Sequence, residues 1–159
     1  MSARLTVSLW VLCAAVVMLA QDKNRVEAGA THVAIDAKEA EAIRQTALDY
    51  IEGWYEGDAE RMERSLHPEL AKRMVETNSN GKSRLNQMSA MTLVQGTRRG
   101  GGKATPRERQ QKDVTILDVF QNAAVKTVAS DWVDYLHIAK FNGRWVIVNV
   151  LWELKPANR

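Results

Sequence analysis

The densest run of apolar positions lies between Val125 and Leu154. There two arms, VKTVASDWVDYLHIAK and WVIVNVLWEL, flank the tetrapeptide FNGR. Asn142-Gly143 tolerates the positive φ of a type I′ turn and is a strong hairpin signal. Val, Ile, Tyr, Trp and Leu crowd both arms, as strands prefer. A two-residue turn fixes the register, setting Phe141 opposite Arg144, Ala139 opposite Val146, His137 opposite Val148, Tyr135 opposite Val150 and Val133 opposite Trp152. These share one face, because side chains alternate along a strand. The other face carries Trp132, Asp134, Leu136, Ile138 and Lys140 against Trp145, Ile147, Asn149, Leu151 and Glu153. A bulge in the long first arm would swap the faces upstream of it. Both faces are rich in large apolar side chains, whereas a half-buried antiparallel sheet leaves one face wet. Helices of this chain are expected to cover one face and a second copy the other.

Upstream the period changes from two to that of a helix. Asp36, with Glu39 three residues on, is a capping-box pattern. Ala37 to Glu56 follows with Ile43, Ala47, Tyr50, Ile51 and Trp54 on one face. Gly57 is placed to end this helix in the left-handed conformation. Asp58 opens a short second helix to about Ser65, and His67-Pro68 breaks it. Glu69 to Thr77 reads as a helical turn followed by a short strand through Met74 and Val75. Asn78 to Gly81 is a turn, and a third helix is expected over roughly 84–94, with Gly96 stopping it. The stretch TRRGGGKATPRERQQ, 97–111, reads as a solvated linker; its glycine amides offer the alternative of an anion cradle. Lys112 to Phe120 is a strand, turned by Gln121-Asn122 into the hairpin. Helices first and strands last imply an α+β fold, a curved antiparallel sheet around the first helix.

The amino terminus departs from this globular pattern. Arg4, then the uncharged apolar run LTVSLWVLCAAVVML, then Ala20 before Gln21-Asp22-Lys23, has the form of a signal peptide cut after Ala20. The run is short for a membrane span, although an uncleaved anchor is the alternative. The expected organisation is a signal peptide, 1–20, a mobile leader, 21–35, and one domain, 36–156, secreted or periplasmic. Among 159 residues the net charge is +3, too mild to imply a nucleic-acid partner. Cys13, the only cysteine, falls in the signal segment, so the mature chain has no thiol chemistry. No HExxH or similar spacing calls for a metal, no cofactor motif is present, and no Gly-x-Ser-x-Gly elbow points to a serine hydrolase.

The segments AIRQTALDYIEGWYEGDAERMERSLHPEL, MSAMTLV and FNGRWVIVNVLWELKP together resemble the putative lumazine-binding family, within the nuclear transport factor 2-like superfamily. The resemblance covers roughly Ala37 to Pro156 and implies a cone, with a bent sheet enclosing a pocket roofed by helices. It also implies a homodimer through the outer sheet face, for which Trp132, Leu136, Trp145 and Ile147 are the expected patch. The superfamily mixes isomerases, dehydratases, cyclases and binding domains, so the fold alone does not assign an activity. Against the ketosteroid isomerase branch, Tyr50 matches the tyrosine eight residues before the helix-end aspartate, Asp58. His137 fills the place of that branch's penultimate-strand carboxylic acid. Met74, flanked by Arg73 and Glu76, fills the place of its general base.

The candidate catalytic residues are accordingly Tyr50, His137 and Asp131, and the candidate ligand contacts are Tyr50, Trp54, Met88, Tyr135, His137 and Trp152. Met91 and Val148 are further candidates for a cavity wall. Tyr50 and His137 are expected to share a face and to bond to each other, to water or to a ligand. Three functions stay open. The first is an exported module binding a small apolar or aromatic molecule. The second is an enzyme moving a proton on a small carbonyl compound. The third is a filled, purely interacting domain.

Overall fold

The computed structural model describes residues 35–156. The expected signal peptide and nearly all of the leader lie outside the described residues. Three helices, α1 (Ala37–Glu56), α2 (Ala59–Ser65) and α3 (Ala90–Arg98), accompany six strands. The strands are β1 (Leu66–Thr77), β2 (Ser83–Ser89), β3 (Asp113–Val119), β4 (Ala123–Val128), β5 (Trp132–Phe141) and β6 (Arg144–Leu154). They form one sheet in the order β2-β1-β6-β5-β4-β3. Only the β1–β6 pair is parallel, which makes the sheet mixed rather than wholly antiparallel. The fold class is α+β, as the segregated periods require.

Helix α1 buries the stripe its spacing predicts: Ile43, Ala47, Tyr50 and Ile51 are enclosed and Trp54 is half-buried. Its N-cap is Asp36, whose carboxylate accepts from the Lys38 amide at 3.2 Å. Glu39 does not close a capping box. Its carboxylate reaches the sheet instead, accepting from Trp145 Nε1 and Lys140 Nζ, each at 2.7 Å. Gly57 ends the helix with φ +66°, where a Cβ would also strike the Lys103 side chain.

Four expectations about elements are corrected. Residues 84–89 form strand β2 rather than helix, because the Asn78–Gly81 turn folds them back onto β1 with Val75 opposite Leu85. The third helix starts at Ala90, capped by Ser89, and runs through Gly96 to Arg98. The long first arm of the hairpin is two strands, broken where the Ala129 amide donates to the Trp132 carbonyl at 3.0 Å. Finally, the 97–111 stretch is no free linker. Gly102 is buried, and the amides of Gly100 and Gly101 donate to the Thr97 and Gly96 carbonyls rather than to an anion.

The hairpin register is as predicted next to the turn, with Phe141 opposite Arg144 and Ala139 opposite Val146. It then shifts between His137 and Ile138, where Val148 is the extra residue in β6, so His137 faces Asn149 and Tyr135 faces Leu151. The face assignment of β5 is the reverse of the expected one along the whole strand, while the bulge acts on β6 and brings Val150 and Trp152 onto the same inner face as Asp134. Asp134, Leu136 and Ile138 point into the core, and Tyr135 and His137 point out. The expected outer patch is overturned with it. Leu136, Trp145 and Ile147 are buried and Trp132 packs partly buried against the core.

Candidate functional site

Strand β1 alternates so that Leu70 and Lys72 face inward while Ala71 and Arg73 do not. Lys72 pairs with Val150 on β6, whose neighbour Trp152 stands opposite Asp134 on β5, and Asp134 stands opposite Thr127 on β4. The sheet thus lines up Lys72, Trp152, Asp134 and Thr127 across its inner face. Helix α1 lowers Tyr50 onto them.

The result is a buried polar cluster. Lys72 Nζ donates to Asp134 Oδ1 at 2.6 Å and to the Tyr50 hydroxyl at 2.5 Å. The Tyr50 hydroxyl in turn donates to Asp134 Oδ1 at 3.1 Å. The second carboxylate oxygen accepts from Trp132 Nε1 at 2.7 Å and Thr127 Oγ1 at 3.2 Å. Asp134 is fully buried and Lys72 is 4% exposed. Lys72 Nζ also sits over the Trp152 ring, 4.7 Å from its centroid, and 5.2 Å from that of Tyr50. Burial pulls the Lys72 ammonium below the usual lysine range, against the Asp134 charge that favours it. Burial, reinforced by the Asp134 carboxylate, holds the Tyr50 phenol well above its ordinary value, so it stays a protonated donor.

Tyr50 and Lys72 form the polar floor of a cavity of about 440 Å³, with Asp134 and Thr127 buried behind them. Its wall is aromatic: Trp54, Trp132 and Trp152, with Trp54 and Trp132 edge to face at 6.3 Å. Met62, Met88 and Leu93 complete the inner wall, and Thr92, Arg99 and Asp131 stand exposed at the rim. Trp152 contributes the only buried side-chain N–H without a partner among the described residues. The glycine-rich loop holds the wall in place. A Cβ at Gly101 would overlap the Trp54 ring, and one at Gly102 would meet the Trp54 carbonyl oxygen at 2.5 Å.

Of the sequence-predicted residues, Tyr50, Trp54, Met88, Asp131 and Trp152 line this cavity. Tyr135 and His137 do not. They lie on the outer face, where His137 Nδ1 is 3.3 Å from Asn149 Nδ2, so the expected Tyr50–His137 pair is not formed. Met91 is exposed, at 62%, and Val148 is the bulge residue. The penultimate-strand carboxylate that meets Tyr50 is Asp134, three residues before His137. Lys72 and Asp134 escaped the sequence reading. A lone lysine in a strand ordinarily marks a wet face, and the helices were expected on the Tyr135–His137 face of β5 rather than on the face that carries Asp134. The one legible signal was Asp134 flanked at alternate positions by Trp132 and Leu136. No group of three His, Cys, Asp or Glu side chains that could hold a metal occurs among the described residues.

Comparison with known proteins sets this geometry in a family. The profile described as "Putative lumazine-binding" matches residues 38–153. The chain belongs to that family. Solved structures agree in fold. A nuclear transport factor 2-like protein of unknown function from Methylobacillus flagellatus is 20% identical, with a TM-score of 0.57 over 79% of this chain and 98% of its own. One from Shewanella baltica is 17% identical, with a TM-score of 0.56 over 77% and 98%. A protein of unknown function with a cystatin-like fold from Nostoc punctiforme is 15% identical, with a TM-score of 0.56 over 77% and 96%. At these identities the likeness speaks for the nuclear transport factor 2-like fold alone. No curated protein matches the sequence.

Proposed function

We propose that this chain is an exported domain whose cone binds one small, mostly apolar molecule, gripped by the tryptophan wall and oriented by a polar contact at Lys72. The observation that carries the reading is the cavity of about 440 Å³ above a buried charged floor. Small-molecule sites are commonly about 300–1,000 Å³, apolar, with a few placed polar groups. A cone serving only as core would fill such a space, since protein interiors pack as densely as organic crystals. The unpartnered Trp152 N–H supports an acceptor oxygen on the ligand. The family description names lumazine, a flat heteroaromatic dione, and a slot of three indoles with a cationic donor suits that class.

Titration of the purified protein with lumazine, followed by tryptophan fluorescence, tests this. Saturable quenching is expected, and Leu93→Trp, which places an indole in the cavity, should abolish it. Equal binding by both proteins would place the ligand elsewhere. Native mass spectrometry of freshly purified protein extends the test to a co-purified molecule, which the account expects to leave on denaturation.

Two further parts of the proposal rest on other observations. Export rests on the residue pattern of 1–20, and reading the mature N-terminus decides it: a chain beginning at Gln21 agrees, and an intact Met1 in cytosolic protein refutes it. A homodimer through the outer sheet face rests on exposed apolar side chains that the register brings together. Arg73 faces Leu151 and Leu151 faces Tyr135, with the Val75–Leu85 pair one step along the strands. Val75, Leu85, Tyr135 and Leu151 are 59%, 60%, 41% and 43% exposed.

A further inference from the structure

Lys72 is a buried cation of the inner sheet face, and it lines the cavity. Asp134 does not need it for hydrogen bonding, since Tyr50, Thr127 and Trp132 already donate to that carboxylate. Nor is stability by itself a reason for an ion pair at this place. Replacing a buried pair by apolar residues of similar size is often neutral or favourable. What the arrangement does supply is an amine at the bottom of an apolar, ligand-sized space, with a carboxylate at 2.6 Å and a phenol at 2.5 Å.

We propose that Lys72 is a covalent attachment site, whose amine condenses with an aldehyde or ketone brought into the cone and holds it as a protonated imine. The inference rests on the reading of the cone as a small-molecule site and adds the chemical class of the molecule. Amines desolvated in apolar pockets are the ones that form Schiff bases at neutral pH, and burial lowers the Lys72 ammonium in that direction.

The steps balance within the residues present. Asp134 Oδ1 takes a proton from the ammonium, leaving a neutral amine. The nitrogen lone pair attacks the carbonyl carbon, a C–N bond forms, and the carbonyl electron pair moves to oxygen. A proton passes from that nitrogen to the oxygen, with the Tyr50 hydroxyl placed to relay it, giving a carbinolamine. Asp134 returns its proton to the departing hydroxyl, the C–O bond breaks, and one water leaves as the C–N double bond forms. The product is a protonated imine beside an ionised Asp134, so the buried ion pair present at the start is present at the end. No step strands an uncompensated charge, which would be costly in this setting.

The test uses the purified full chain at neutral pH with 1-phenylbutane-1,3-dione. Its imine with an amine tautomerises to a stable enaminone absorbing in the near ultraviolet, so no reductant is needed. The expected result is a single adduct, of mass equal to the protein plus probe less one water, that peptide mapping puts on Lys72. It should form about tenfold or more faster than at the exposed Lys82 and Lys103, because only Lys72 is desolvated. Lys72→Arg, which keeps the charge, should bind the probe without the new absorption. Tryptophan quenching without an adduct at Lys72 would overturn the covalent site and leave the binding reading standing. Modification of Lys72 no faster than of Lys82 would also overturn it. Neither quenching nor adduct would count against both. Mapping on the unmodified sequence keeps the test decisive even if Lys72→Arg folds poorly.

Discussion

Lys72 and Asp134 are each tolerated in the core only because the other is there. Removing one partner of a buried pair costs about 3–5 kcal/mol, since the survivor keeps its desolvation penalty. Lys72→Met is therefore expected to lower stability by about that amount in chemical denaturation. Lys72→Met with Asp134→Leu should recover most of the loss, being the apolar replacement of the pair. Strictly additive losses would show that the two residues do not act as a unit. Tyr50→Phe removes one donated and one accepted hydrogen bond and should cost about 1–3 kcal/mol. This scale is where the sequence was least legible. Tyr50 and Trp54 could be placed at the cavity from the period of α1, whereas Met88 and Trp152 reach it through a strand and a bulge that the expected helix and register did not contain. The rest of the polar cluster could not be placed, because alternation groups Asp134 with Leu136 and His137 with Tyr135 but, with both hairpin faces apolar, does not say which group meets α1.

Among the elements, α1 and α2 are tied together outside the cone by an ionic cluster. Asp49 accepts from Arg61 Nε at 2.9 Å, Arg64 Nε at 3.0 Å and Gln45 Nε2 at 3.0 Å. Glu52 joins through Arg61 and Lys112. Burial of Asp49 opposes its charge, but the hydrogen bonds from Arg64, Arg61 and Gln45 outweigh it and hold the carboxyl below its ordinary range. As pH falls the unfolded chain takes up this proton first. The contribution is therefore complete above about pH 4 and is lost as pH drops through the lower folded value. Asp49→Asn should lose about 1–2 kcal/mol at neutral pH and show a shallower decline of melting temperature with acid. The glycine-rich loop acts on the site from behind. Gly102→Ala forces the loop off the Trp54 backbone and should destabilise by about 1–3 kcal/mol, as overpacking does. The helix caps and the α1 stripe were readable in advance because they depend on local pattern. Strand β2 was not, because Leu85, Met88 and Met91 mimic helical spacing and only pairing with β1 decides the matter.

For the whole molecule, the α+β class was legible from the order of the elements, and the cone was implied by the family resemblance. The identity of the outer-face residues was not, since both hairpin faces are apolar and the pattern alone does not say which one the helices cover. Tyr135→Glu or Leu151→Arg is expected to convert a dimer to a folded monomer in light scattering, and an unchanged dimer would put the contact on another surface. The central claim for the molecule is a binding site inside the cone. Indole N–H resonances test this most directly, because Trp54, Trp132 and Trp152 line the cavity while Trp145 is bonded to Glu39 away from its lining. On titration with lumazine, the first three signals should shift together and saturate while that of Trp145 stays in place. Uniform small shifts of all four, or none, would contradict the account.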